Sequence, residues 1–170
     1  MADKARVAVV MGSDSDFEVM RGCVEQLKSL GIGCDVRVMS AHRTPDLVHR
    51  FAADAREAGI EVVIAAAGMS AALAGVIAAN TTLPVIGVPM ASGPLIGVDA
   101  LLSTVQMPPG IPVASVGIGP AGATNAALLA AEILGVRDAS LAEKLTAHKR
   151  QMAEAVVGKD KALRERLAEG

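Results

Sequence analysis

Short apolar runs, each halted by glycine, proline or serine and each followed by a stretch of helical spacing, constrain this chain more than any other feature. Arg6-Val7-Ala8-Val9-Val10-Met11 stops at Gly12-Ser13. A run this short and this uniformly apolar, bounded by turn residues, reads as a strand covered on both faces. Residues 17–30 then set Val19, Met20, Cys23, Leu27 and Leu30 at helical spacing and end before Gly31. Val36 to Met39 reads as a second strand. Pro45 opens a second helix with Leu47, Val48, Phe51, Ala52 and Ala55 inward, closing at Gly59; proline suits a first helical turn because its missing N–H has no partner there. The alternation continues with strands at 61–66, 84–88 and 112–116 and helices at 70–79, near 97–105 and at 121–134. So regular an alternation, joined by short connections, predicts a parallel sheet with right-handed crossovers and helices on both faces. The expected fold is a three-layer α/β sandwich, flavodoxin-like or Rossmann-like.

The 170 residues suffice for one domain with a real core. We read about 5–136 as the α/β core and about 138–168 as a helical extension. The chain is 52% hydrophobic, somewhat more than one protomer of this size needs to hide. The apolar runs 6–11, 62–67, 83–90 and 111–118 fall well short of the roughly 18–20 residues of a spanning helix, and no secretory signal pattern opens the chain. The expectation is a cytoplasmic protein without membrane contact, its apolar excess covered by homo-oligomerisation. The tail supports this: Leu141, Leu145, Met152, Val156 and Leu163 form a thin stripe on a charged helix, suited to packing on a neighbouring subunit. A net charge of −2, no basic stripe, and two Phe with neither Tyr nor Trp disfavour long nucleic acids as partners. Cys23 and Cys34 lack metal-type spacing and read as reduced, mostly buried thiols.

In open α/β sheets, ligands collect beyond the carboxyl ends of the strands. That rule selects Gly12–Asp16, Ser40–Pro45, Gly68–Gly75 and Pro89–Gly97. Gly12-Ser13-Asp14-Ser15-Asp16 offers backbone N–H groups and hydroxyls to a phosphate and a carboxylate to ribose; the same residues also serve as helix caps. It is not a Walker loop, lacking the glycine-lysine pair. Ser40-Ala41-His42-Arg43-Thr44-Pro45 joins a hydroxyl, an imidazole and a guanidinium. Arginine grips phosphate bidentately, and histidine alone titrates near cellular pH without perturbation. Its position points to His42 as a proton-transfer group. Gly68 to Gly75 admits either close backbone approach to a ligand or close helix–strand packing. Gln106 to Pro112 reads as a stiff turn, a site wall or a subunit contact. His49 and His148 read as surface residues, and the His and Cys positions show no metal-ligand spacing.

The stretches MGSDSD, SAHRTPD, LPVIGVP, GVDALLSTVQMPPGIPV and AGATNAALLAAEILG, in this order over about residues 5–157, together resemble the N5-carboxyaminoimidazole ribonucleotide mutase family, the catalytic subunit type also called phosphoribosylaminoimidazole carboxylase. The resemblance implies an octamer of three-layer α/β subunits, needing neither metal nor organic cofactor, that acts on a small imidazole ribonucleotide in de novo purine synthesis. It implies coupling to an ATP-dependent carboxyaminoimidazole ribonucleotide synthetase. The implied reaction moves a carboxylate from the exocyclic nitrogen to C4, with CO2 held in the site between the two steps. By resemblance, His42 transfers the proton, Ser13 and Arg43 hold phosphate with Ser40 alongside, and Asp16 binds ribose; Gly68 and Ser70 join the expected site.

One motif departs from the pattern. The family's GGAAHLPG corresponds here to Gly68-Met69-Ser70-Ala71-Ala72-Leu73-Ala74-Gly75, so Ala72 replaces a second histidine and Ala74 a proline. A related class that carboxylates aminoimidazole ribonucleotide directly with CO2 also lacks that histidine and carries a serine like Ser70. That class has lysine after the first histidine, and Arg43 points back to the mutase. Direct carboxylation is therefore the alternative activity, and a non-catalytic nucleotide-binding module on the same fold is the alternative of another kind.

Overall fold

The computed structural model describes residues 4–168. Along the chain run β1 (Val7–Met11), α1 (Phe17–Ser29), β2 (Cys34–Val38), α2 (Pro45–Asp54), β3 (Val62–Gly68), α3 (Leu73–Ala79), β4 (Val85–Met90), α4 (Val98–Val105), β5 (Ala114–Ser115), α5 (Gly119–Gly135) and α6 (Ala139–Ala168). The five strands lie side by side in the order β2-β1-β3-β4-β5, and every neighbouring pair is parallel. This is the flavodoxin-like order, in which the chain reverses its direction of travel between β1 and β3 and opens a crevice there.

Because successive side chains of a strand point to opposite faces, β1 feeds two cores at once. Val7, Val9 and Met11 pack with Met20, Cys23 and Leu27 of α1 and with the buried alanines Ala123, Ala126, Ala127 and Ala130 of α5. Ala8 and Val10 face the other way, against Val48 and Ala52 of α2 and Leu73, Ala74 and Ile77 of α3. A strand buried on both faces must be apolar throughout, which is why Val7–Met11 shows no polar alternation.

The elements differ from expectation where sequence pattern competes with neighbours. β2 begins at Cys34 because its register pairs Cys34 with Val7; as an edge strand it carries Asp35 and Arg37, which hide it from an apolar-run reading. α3 begins at Leu73 rather than at Ser70, since Met69 has a positive φ of 54° and tight turns occupy residues 69–72. β5 shrinks to two residues, its approach being held by Pro108, Pro109 and Pro112, which cannot donate to a ladder.

The first turns of α6 are tied down. Asp138 caps the helix by accepting from the Leu141 backbone N–H at 3.2 Å and is held by Arg6 Nη1 at 2.9 Å, and both contacts lower its carboxyl pKa. Leu141 and Leu145, expected on the stripe facing a neighbouring subunit, are instead buried in this chain's own core beside α1 and α5, and Lys144 Nζ donates to the Leu30 carbonyl at 2.8 Å, at the end of α1. From residue 149 to residue 168 every residue is exposed, about 30 Å of helix at 1.5 Å per residue that does not pack on its own core. Among the described residues, no helix is long and apolar enough to cross a membrane.

Candidate active site

The carboxyl ends of β1, β2, β3 and β4 surround one cavity of 530 Å³. Its walls include Ser13, Ser15 and Asp16 after β1, Ser40, Ala41, His42 and Arg43 after β2, Ala67 to Ser70 with Ala72 and Leu73 after β3, and Ser92 after β4. Every residue singled out from the sequence for the site is among them: Ser13, Asp16, Ser40, His42, Arg43, Gly68 and Ser70.

The β1 loop is a tight turn that caps itself. Ser13 is the N-cap of a 3-10 turn, Asp14–Asp16, that leads into α1. Its hydroxyl accepts from the Ser15 backbone N–H at 3.3 Å and from the Ser15 hydroxyl at 2.9 Å. Capping and ligand binding are thus compatible: the cap holds two hydroxyls together at the cavity rim. Burial pushes the Asp16 carboxyl above its ordinary value, and the Ser13 backbone and the Arg43 guanidinium only partly restore it.

The β2 loop closes on itself and then reaches across. The Ser40 backbone N–H donates to Thr44 Oγ1 at 2.9 Å, and the Thr44 hydroxyl donates to the Ser40 carbonyl at 3.1 Å. The Arg43 backbone N–H donates to the Ser40 hydroxyl at 3.2 Å. Arg43 Nη2 donates to the Gly12 carbonyl at 2.8 Å, so its guanidinium braces the β2 loop against the β1 loop and lies close to the Asp16 carboxylate. Between these anchored residues His42 is exposed at the cavity wall. The hydrogen bonds of Ser40, Arg43 and Thr44 thus hold the backbone on both sides of the imidazole.

The β3 loop divides the two readings of its glycines. Gly68 lines the cavity, and a Cβ there would collide with the Ser92 hydroxyl. Gly75 instead lies under Met107, whose Sδ would be 3.1 Å from an added Cβ; that glycine serves packing. The turn at 106–112 therefore rests on α3 and takes no part in lining the cavity. His49 is exposed on α2, while His148 is half-buried on α6. Cys23 and Cys34 are free thiols, and burial pushes Cys23 up to about 12. Ser15 and Ser92 also line the cavity, and in the sequence each stands only as one member of a candidate segment, with nothing local to distinguish it from its neighbours.

The model of the AIR carboxylase family matches residues 6–155. The chain belongs to that family. N5-carboxyaminoimidazole ribonucleotide mutase from Saccharolobus solfataricus is 56% identical over 140 residues, covering 82% of this chain and 87% of the relative. The protein of the same name from Mycobacterium tuberculosis (strain H37Rv) is 49% identical over 166 residues, covering 98% of this chain and 94% of the relative. A crystal structure of Treponema denticola PurE superposes with a TM-score of 0.83 at 31% identity, covering 92% of this chain and 97% of that one. As an AIR carboxylase family chain, this protein carries the family's match through the sheet, the cavity loops and the first half of α6.

Proposed function

We propose that the protein is an isomerase of de novo purine biosynthesis that interconverts N5-carboxyaminoimidazole ribonucleotide and 4-carboxy-5-aminoimidazole ribonucleotide. The observation that carries this reading is the convergence of the SAHRTPD loop, the MGSDSD loop and the β3 loop on one cavity, in a chain whose 49–56% identical relatives are named as that mutase. The named relatives favour the mutase over direct carboxylation and over a non-catalytic module.

The residues divide the substrate by chemistry. Ser13 and Arg43, with Ser40 beside them, hold the phosphate through hydroxyl and guanidinium donors. Asp16 accepts from the ribose hydroxyls. Gly68 and Ser70 border the base. In the forward direction the C–N bond of the carbamate breaks and releases CO2, its electron pair returning to the exocyclic nitrogen, which takes a proton from His42. The amine lone pair, conjugated into the ring, makes C4 the nucleophile. C4 attacks the retained CO2 to form the new C–C bond, and His42 removes the C4 proton and restores aromaticity. One group that gives and then takes a proton suffices, provided the walls keep CO2 beside the ring; Ala41, Ala67, Ala72 and Leu73 supply apolar lining.

The whole chain serves as one catalytic domain, with residues 5–136 as the core and 138–168 as an extension whose first turns pack on that core and whose exposed remainder lies on a neighbouring subunit of a homo-octamer. It works in the cytoplasm, supplied by an ATP-dependent synthetase. Incubating the protein with N5-carboxyaminoimidazole ribonucleotide and no added bicarbonate is expected to yield the C4 carboxylate, and His42→Asn to abolish turnover while the nucleotide still binds. No turnover by the unaltered protein sinks the reading.

A further inference from the structure

The loops after β3 and β4 are clasped by two reciprocal contacts. Gly68 lacks the Cβ that would collide with the Ser92 hydroxyl, and the Ser92 Cβ lies 3.1 Å from that position. One residue on, Gly93 (φ 71°) faces Met69 (φ 54°), with Met69 Cγ 3.7 Å from where a Cβ on Gly93 would stand. In each pair a glycine on one loop receives a side chain from the other. A tight turn, in which the Ser92 backbone N–H donates to the Met90 carbonyl at 3.0 Å, turns Ser92 back toward Gly68. Ser92 is half-buried and lines the cavity. Its hydroxyl makes no side-chain hydrogen bond to another described residue. A hydroxyl held at a cavity wall with its donor free can donate to a ligand there.

We infer that Ser92 is a further substrate-contacting residue, whose hydroxyl donates to the carboxylate that the reaction moves. The inference rests on the proposed mutase reading. The phosphate and ribose groups are assigned to the β1 and β2 loops, so the base and its carboxylate extend toward the β3 and β4 loops. Position 72, on that same wall, is an alanine with no donor side chain. Ser92 binds the carboxylated nucleotides more tightly than the uncarboxylated one, and thereby favours the state in which CO2 has been captured.

The test compares Ser92→Ala with the unaltered protein in calorimetric binding of two nucleotides, 4-carboxy-5-aminoimidazole ribonucleotide and aminoimidazole ribonucleotide. Losing a hydrogen bond to a charged group is expected to weaken the carboxylated nucleotide by about tenfold or more. The uncarboxylated nucleotide is expected to bind within about twofold of the unaltered protein, because it never touched the hydroxyl. That same binding shows that the variant is folded. Equal affinities in Ser92→Ala and the unaltered protein, or equal losses for both nucleotides, overturn the role of Ser92 alone. An unaltered protein that binds neither nucleotide overturns the mutase reading, and this inference with it.

Discussion

At Asp16, burial raises the carboxyl pKa, and the neighbouring Ser13 backbone and Arg43 charge offset this only in part. The folded protein therefore holds the Asp16 proton more tightly than the unfolded chain, where the ordinary value is 3.8. Above the raised value the ionised carboxylate costs the fold stability. That cost fades as pH falls through the raised value and is gone below the ordinary one. Asp16→Asn has no such titration. It is expected to melt higher than the unaltered protein at neutral pH, with the difference shrinking through the acidic range, and to bind the nucleotide more weakly; paired melting curves and binding titrations check both. On the proposed ribose role the gain and loss belong together, since the carboxylate that binds substrate is one whose charge costs the fold stability. At this scale the sequence was informative wherever chemistry is local. Ser13, Asp16, Ser40, His42 and Arg43 stood out because hydroxyls, an imidazole and a guanidinium follow strand ends. Ser92 did not, because its significance lies in meeting Gly68 across two loops.

Among the elements, α4 comes close to the sheet at Gly87. An added Cβ on Gly87, in β4, would collide with Thr104 Cγ2 and stand 3.1 Å from Val113 Cγ1 and 3.4 Å from Ala74 Cβ. Thr104 cannot retreat freely, because its hydroxyl donates to the Ala100 carbonyl at 2.7 Å within α4. Gly87→Ala is expected to destabilise the protein by about 1–3 kcal/mol through overpacking, read as a lowered urea midpoint with unchanged slope. The strand–helix alternation was plain because buried parallel strands are unbroken apolar runs and their covering helices keep one apolar face. Boundaries were less plain where tertiary contacts decide them. β2 owes its first residues to pairing with β1, and β5 is cut short by prolines that its apolar composition masks. The start of α3 yields to the left-handed backbone of Met69, which no helical periodicity reveals.

Over the whole molecule, apolar surface remains where the chain's own core does not reach. Val98, Leu102 and Val105 on α4 and Met152, Val156 and Leu163 on α6 are all exposed, in keeping with a composition richer in apolar residues than one protomer needs. The proposed assembly covers them with other copies. Light scattering is expected to give eight times the chain's 17.2 kDa, and deletion of residues 150–170 is expected to give a smaller species; a monomeric mass for the full chain contradicts the assembly. In the proposed reaction the carboxyl carbon never leaves the cavity between its two bonds. The most direct test supplies substrate labelled with carbon-13 in its N-carboxylate, in the presence of unlabelled bicarbonate, and follows the label. The expected product is 4-carboxy-5-aminoimidazole ribonucleotide that retains the labelled carbon; product built from the unlabelled pool shows instead that the carbon escapes between the two bonds.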